Sequence, residues 1–307
     1  LNDTLPKQTP LKVITDNSLV SEYLTAPEFQ LCEANVIFLT HCFEETIRDH
    51  YMTKFCNQFP DECHIVQKNH LADTVFSTLG QVDWIQPTYN LKTQMNEFVG
   101  EYKRRRNNVW IIKAFNLARS LDMIVTDNLD QIIRTLPRLA QKYITNPVTL
   151  FGKKIDLRYI VSVRSLEPFE VFIYKVFWIR TSNNDFTNDY REIYETHFTV
   201  MNYGKKLKQI HYDEFIEEFE KEYTKWAAIH DKIKTMVKEL FMAVYKKYPG
   251  MNCRGSYGMD VMINGTFQPK LLELTFSPDC ERACKYHPHF FNDMFKLFFL
   301  NDQEHPN

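Results

Sequence analysis

Two carboxylates at a fixed offset are the residues of this chain best suited to chemistry. Asp260 lies in Tyr257-Gly-Met-Asp-Val-Met-Ile263, Glu273 lies in Lys270-Leu-Leu-Glu-Leu-Thr-Phe276, and Asn264-Gly-Thr-Phe-Gln-Pro269 joins them. The Asn-Gly step and Pro269 mark a turn between apolar and β-branched runs, so the segment reads as strand, turn, strand. With a loop from Gly265 to Gln268, residue 273 falls opposite residue 260. Met259, Val261 and Ile263 then share one face with Leu272, Leu274 and Phe276, and both carboxylates point to the other. Like charges directly opposite each other repel. A cation between them would relieve this, and oxygen ligands at that spacing suit Mg²⁺. The competing reading is a solvated acidic face on an ordinary hairpin.

Cations precede the hairpin at positions that could share phosphates with such a metal. Lys113 closes the apolar run Val109-Trp-Ile-Ile-Lys113, where a lysine can reach a nucleotide phosphate or simply end a strand in solvent. The run superficially resembles a kinase strand, but His-Arg-Asp and Asp-Phe-Gly are both absent, which excludes that class. Gln141, Lys142, Tyr143 and Ile144 alternate polar and apolar residues. Such an extended segment offers backbone N–H and C=O groups to an adenine edge, or is an edge strand. Period two places Lys154, Asp156 and Arg158 on one strand face, and Arg180 ends the next β-type run. Alternating cation, anion and cation can clamp phosphates, since guanidinium binds their oxygens in a bidentate way; the alternative is a surface charge ladder worth little. His197-Phe-Thr-Val-Met-Asn202 adds a weaker signal for contacts to a ribose or substrate.

Two further clusters are less specific. Cys280, Cys284, His287 and His289 resemble a zinc set, but Pro288 and the missing Cys-x₂-Cys spacing argue against it. Lys103-Arg-Arg-Arg106 is either a solvated loop or a docking site for an acidic peptide.

These side chains must be held by a mixed α/β framework. Leu11–Ile14 and Asn35–Leu39 read as strands with a helical segment near Ser18–Leu24 between them, and Phe43–Phe55 reads as a helix. Asp127 or Asn128 can cap a helix carrying Leu129, Ile132, Ile133 and Leu136 on one face. Ile155–Val163 and Phe169–Ile179 read as long strands, followed by a polar loop from Thr181 to Asn188. Trp226, Ile229, Ile233, Val237, Leu240, Phe241 and Val244 form a helical stripe stopped by Pro249-Gly250, and Phe290–Phe299 is a final aromatic helix.

The 307 residues suffice for one large domain or two to three subdomains. A net charge of −2 argues against a general nucleic-acid or membrane-surface binder. No run approaches the length of apolar chain a transmembrane helix needs. An odd number of scattered cysteines, seven, fits reduced thiols in the cytosol better than a disulfide framework. Glycine is scarce, at eight residues, and none lies between Gly100 and Gly152, so a phosphate loop in that span must work without it.

The order of motifs, Trp-Ile-Ile-Lys113, Gln-Lys-Tyr-Ile144, Lys154-Ile-Asp-Leu-Arg158, Arg180, His197-Phe-Thr, then Asp260 with Glu273-Leu-Thr-Phe-Ser-Pro278, resembles the tubulin–tyrosine ligase-like family. The resemblance runs from about Leu11 to Leu300 and implies an α+β chain with the ATP-grasp fold. An N-terminal subdomain would span 1–87, a central one 88–148 and a C-terminal one 149–307, with the nucleotide cleft between the last two. Asn116–Asp122, His197–Tyr203 and Pro278–Cys284 resemble one branch of the family, a resemblance that implies a longer protein with an upstream SET-like half. By the same resemblance Lys113 would contact nucleotide phosphate, and Gln141, Lys142, Tyr143 and Ile144 would form the adenine hinge. Lys154, Asp156 and Arg158 would face nucleotide and substrate carboxylate, and Arg180 the γ-phosphate. Arg158 and Arg180 would be the catalytic cations, Asp260 and Glu273 would hold Mg²⁺, and ATP would be the cofactor. Tubulin or microtubules would be the partner, met through Lys103–Arg106, in a cytoplasmic and cytoskeleton-associated setting.

Two departures from the family bear on activity. Where the family carries a Pro and an Arg-Gly-x-Gly lid, this chain has Lys113-Ala-Phe-Asn-Leu-Ala-Arg119-Ser-Leu-Asp-Met, which lacks glycines that let backbone N–H groups approach phosphates. Where the family has Glu-x-Asn, this chain has Glu273-Leu-Thr275. Residue 275 shares the face of Glu273, and a threonine hydroxyl is a poorer neutral ligand than an amide carbonyl. The expectation is a ligase-like domain with impaired catalysis that binds nucleotide and tubulin and regulates modification by others. The alternatives are an active ATP-dependent ligase working through an acyl phosphate, and a purely structural module.

Overall fold

The computed structural model describes residues 9–32, 35–41, 53–60, 62–104, 108–115, 122–135, 138–199, 210–245 and 252–300. Among them no helix is long and apolar enough to cross a membrane. The chain is α+β, with three sheets.

The first sheet is parallel, in the order β2-β1-β3-β4, from β1 (Leu11–Thr15), β2 (Phe29–Leu31), β3 (Val36–Phe38) and β4 (Phe55–Cys56). Helix α1 (Ser18–Tyr23) starts at Asn17, whose side chain accepts from the N–H groups of Leu19 and Val20. The expected helix from Phe43 falls mostly outside the described residues, and its last residue, Phe55, instead opens β4. Helices α2 (Cys63–Val66) and α3 (Lys68–Leu79) follow.

The second sheet is antiparallel, in the order β5-β8-β6-β7, from β5 (Thr88–Asn90), β6 (Trp110–Lys113), β7 (Ile124–Thr126) and β8 (Leu139–Lys142). Strand alternation decides its two faces. Trp110, Ile112 and Ala140 bury against Phe98 of α4 (Met95–Arg104) and Ile132 of α5 (Leu129–Arg134). Ile111, Lys113 and Gln141 look to the opposite face. Asn128 caps α5 as expected, but Ile133 is 40% exposed and does not share the packed face of Ile132.

The third sheet carries β9 (Thr149–Leu150), β10 (Lys153–Ser165), β11 (Glu170–Ile173), β12 (Trp178–Asp185), β13 (Gly255–Ile263) and β14 (Pro269–Phe276). The path is β11-β10-β13-β14, with β12 and β9 also pairing with β10. The run expected as one strand over Phe169–Ile179 splits into β11 and the start of β12, and the expected polar loop from Thr181 is strand as far as Asp185. Pairing decides this against composition, since the end of β12 lies opposite Lys153 of β10. Helices α7 (Tyr212–Glu222) and α8 (Trp226–Tyr245) cover one face, where Ile229, Ile233, Val237 and Leu240 meet Leu157, Tyr159, Met259 and Val261. On the other face Ile160 and Trp178 join the core shared with the first sheet, and Lys154, Asp156, Arg158 and Asp260 form the floor of the site described next.

The chain's final elements close back on its beginning. Helices α9 (Glu281–Tyr286) and α10 (Phe290–Phe295) follow β14, and the expected single helix to Phe299 finishes as a π-helical turn, Lys296–Leu300. Phe291, Phe295 and Phe299 pack among Leu11, Val13, Phe38 and Phe55 of the first sheet.

Candidate functional site

The carboxylate pair forms as expected, by a different route. Asp260 lies opposite Glu273, but the turn closes one residue earlier, with Ile263 opposite Pro269. A bulge between Asp260 and Val261 restores the register. Its extra residue is Leu272, since Val261 pairs with Leu271. The expected alternation is therefore corrected: Leu271 takes the core position, and Leu272 turns to the same cavity as Glu273 and Thr275.

A cavity of about 300 Å³ lies between the second and third sheets. Lys113, Gln141, Lys142, Tyr143, Ile144, Lys154, Asp156, Arg158, Arg180, Asp260 and Glu273 all line it. Alternation on β10 explains the floor: Ile155 and Leu157 enter the core, while Lys154, Asp156 and Arg158 face the cavity.

Its charges are organised in pairs. Arg158 donates to both oxygens of Asp260, through Nε and through Nη2 at 3.1 Å. Arg180 Nη2 lies 2.6 Å from the same carboxylate. Arg180 also donates from Nε to Asp156 Oδ1 at 2.5 Å, and the Thr199 hydroxyl donates to Asp156 Oδ2. Burial works against the charge on Asp260, but Arg180 and Arg158 outweigh it and hold the carboxyl well below its ordinary range. The position of Arg158 depends on Gly258, where a Cβ would lie 2.9 Å from Pro278 Cβ and 3.1 Å from Arg158 Nη1. Glu273 is paired separately, with Lys68 at 3.1 Å.

The two buried lysines meet neutral acceptors. Lys113 donates to Gln141 Oε1 at 2.6 Å, and burial lowers it to about 8 against the pull of Glu273. Lys154 donates to the Tyr143 hydroxyl at 2.7 Å and the His197 carbonyl at 3.1 Å. Burial brings Lys154 down to about 7, opposed by Asp156. In the segment Gln141–Ile144 two N–H groups are already committed: Lys142 N–H to the Pro87 carbonyl at 2.8 Å and Tyr143 N–H to the Val109 carbonyl at 3.0 Å.

Among the described residues no group of three or more His, Cys, Asp or Glu side chains is gathered for a metal. The donors present nevertheless fit Mg²⁺, which commonly takes one or two carboxylates and completes its shell with phosphate and water. The Cys280, Cys284, His287 and His289 cluster does not assemble. Both thiols are buried in the aromatic core, and His287 pairs with Asp293 at 2.7 Å. Of the basic run, Lys103 and Arg104 close α4 and are exposed, and residues 105–106 lie outside the described ones, as do lid residues 116–121.

Sequence reasoning missed Lys68, Gln86, Ile111, Met123, Met262, Leu272 and Asp279 as lining or pairing residues. Ile111 was open to detection, since it alternates with Trp110. Lys68 gave no signal, because it begins a helix remote in sequence from its partner.

The second and third sheets carry cations and carboxylates facing one cleft, and the chain belongs to the tubulin-tyrosine ligase family, whose model matches residues 45–306. Particular relatives share nearly its whole length. Tubulin–tyrosine ligase-like protein 12 of Homo sapiens is 39% identical over 94% of this chain and 51% of that protein. The proteins of the same name in Mus musculus and Caenorhabditis elegans are 38% and 34% identical, over 97% and 96% of this chain and 53% and 50% of theirs. The chain thus spans about half the length of the curated relatives it matches.

Proposed function

We propose that this chain is an ATP-grasp, tubulin-ligase-like domain that binds Mg²⁺ and ATP in the cavity between its second and third sheets, with amino-acid ligase chemistry lost or much reduced. It engages tubulin and regulates modification by others. The observation that carries the reading is the gathering of Lys113, Lys154, Arg158 and Arg180 around Asp260 and Glu273 in one cavity, with Thr275 beside them. The apolar side chains of Ile111, Met123 and Ile144 suit the faces of a base, and the carbonyls after β8 suit its edge. Lys113, Arg158 and Arg180 would take the phosphates. Bound Mg²⁺ would neutralise phosphate charge from Asp260 and Glu273. Thr275 offers a short hydroxyl where the family reading has an amide, which weakens that hold. Exposed Lys103 and Arg104 suit an acidic tubulin tail.

A second reading, an active ligase, is favoured by the completeness of the Arg158, Arg180, Asp260 and Glu273 set. Such a ligase would transfer phosphoryl to a carboxylate and then accept an amine on the acyl phosphate. Calorimetry with ATP and Mg²⁺ tests the nucleotide claim: binding heat abolished by Lys113→Ala supports it, and no heat removes nucleotide from the account. Incubation with tubulin, ATP and labelled Tyr, Glu or Gly tests the rest. No incorporation is expected, and incorporation lost in Glu273→Gln would establish the active ligase instead.

A further inference from the structure

Lys154, Tyr143 and His197 form a buried chain of polar groups that neither a phosphate contact nor an adenine hinge requires. Lys154 Nζ donates to the Tyr143 hydroxyl at 2.7 Å, and that hydroxyl lies 2.9 Å from His197 Nδ1. A phenol that accepts from Nζ has its own proton free to donate to Nδ1. His197 also presents its backbone carbonyl to Lys154 at 3.1 Å. The Tyr143 ring lies under the ammonium, with Nζ 4.2 Å from its centroid. All three residues are at most 5% exposed.

We infer that Tyr143 and His197 are positioning residues for Lys154, and that filling the cavity with nucleotide draws a proton onto that lysine. The inference rests on the nucleotide reading above and adds to it how one cation is set.

Lys154 donates to neutral oxygens and, among the described residues, pairs with no carboxylate. Tyr143, beyond β8, and the carbonyl of His197, at the end of helix α6 (Tyr194–His197), supply neutral acceptors. The ring of Phe186, just past β12, lies 5.8 Å from Nζ. From β6, Lys113 adds a like charge, which disfavours the ammonium. Asp156, on the same face of β10, and the Tyr143 ring favour it, but that carboxylate is already bound to Arg180 and Thr199. With burial as the largest effect, Lys154 falls to about 7. A polyphosphate entering the cavity brings negative charge that reverses the balance, so the protonated amine is favoured once ligand is bound. The Tyr143–His197 pair keeps Nζ in place through both states, since the hydroxyl accepts an N–H from the ammonium or from the neutral amine while its own proton points to Nδ1.

Calorimetry tests this on the intact chain. ATP with Mg²⁺ is titrated at pH 8 in buffers of differing ionisation enthalpy, and the slope of observed heat against that enthalpy counts protons. The expected result is uptake of about 1–1.5 protons per nucleotide, the smaller share from Lys113, which lies at about 8. Lys154→Arg, which keeps charge but does not titrate, should remove most of that uptake. Tyr143→Phe should weaken ATP by about tenfold and displace the pH profile of binding, which a merely structural tyrosine would leave in place. Thermal melts establish that both variants fold, and the wild-type proton count needs no variant. ATP binding with equal heat in every buffer overturns the inference and leaves the nucleotide reading standing. Uptake unchanged in Lys154→Arg, or an unmoved pH profile in Tyr143→Phe, also overturns it. No ATP heat in any buffer overturns both.

Discussion

The ammonium of Lys68 lies 3.1 Å from Oε2 of Glu273, joining the first residue of α3 to β14 at the acidic side of the cavity. A cation therefore already stands at one of the two carboxylates proposed to hold metal. Asp260 is likewise covered, by Arg158 and Arg180. The like-charge problem of the hairpin is solved in the protein's own side chains.

Removing the Lys68 cation should favour metal. Lys68→Met is expected to raise Mn²⁺ affinity by about 3–10-fold in the absence of nucleotide, read by calorimetry or paramagnetic resonance. The cost in stability should be small, about 0–1 kcal/mol, because the paired side chains are 17% and 27% exposed and solvent screens them. Unchanged Mn²⁺ affinity would show that Glu273 is not a metal ligand.

Asp260 should behave differently, because it is nearly buried and serves two guanidiniums. Asp260→Ala leaves Arg158 and Arg180 short of their shared anion and is expected to cost about 3–5 kcal/mol in denaturant unfolding. The pH dependence follows from the direction of its shift. A carboxyl lowered in the folded state contributes stability that is complete above its unfolded value of 3.8 and is lost as pH falls through the folded value. The wild type should therefore lose stability below pH 4 along a limb that Asp260→Asn lacks. Identical acid limbs in the two proteins would remove Asp260 from the account.

Lys154 should show the opposite trade. An amine whose folded value is about 7 is disfavoured as a cation, so folding is penalised below pH 7 and the penalty fades as pH rises toward the unfolded value of 10.5. Lys154→Met is expected to raise the melting temperature, most at pH 6 and least near pH 10, by an amount equivalent to about 1–3 kcal/mol at the acidic end. It should weaken ATP at the same time. A variant that destabilises at pH 6 would mean that the ammonium is favourably held in the empty cavity.

What could be read in the sequence follows strand period. Lys154, Asp156 and Arg158 were legible as one face because alternation on β10 is local, and the core residues between them confirm the phase. The opposition of Asp260 and Glu273 was legible, but the Leu272 bulge that maintains it was not: a one-residue slip at the turn and an extra residue in the strand cancel. The pairing of Lys68 with Glu273 is not local at all; it depends on how α2 and α3 pack beside β14. The strand character of Thr181–Asp185 was hidden for a similar reason, since polar residues there are paired by β10 rather than selected for strand propensity. Tertiary contacts decided each of these, and no window of sequence contains them.

Thr275 offers the most direct test of why the site would be weak. It lies opposite Gly258 on β14, two residues from Glu273, and lines the same cavity, so its side chain and that of Glu273 share a face. A threonine hydroxyl is shorter than an asparagine side chain, and an amide carbonyl is the stronger neutral donor. Thr275 is only partly buried and borders the cavity, into which the larger amide can extend. Thr275→Asn is expected to tighten binding of ATP in the presence of Mg²⁺ by about 3–10-fold and to leave binding without Mg²⁺ unchanged. Equal effects with and without the metal would place Thr275 against the nucleotide itself. No effect in either case would mean that residue 275 takes no part in binding metal or nucleotide.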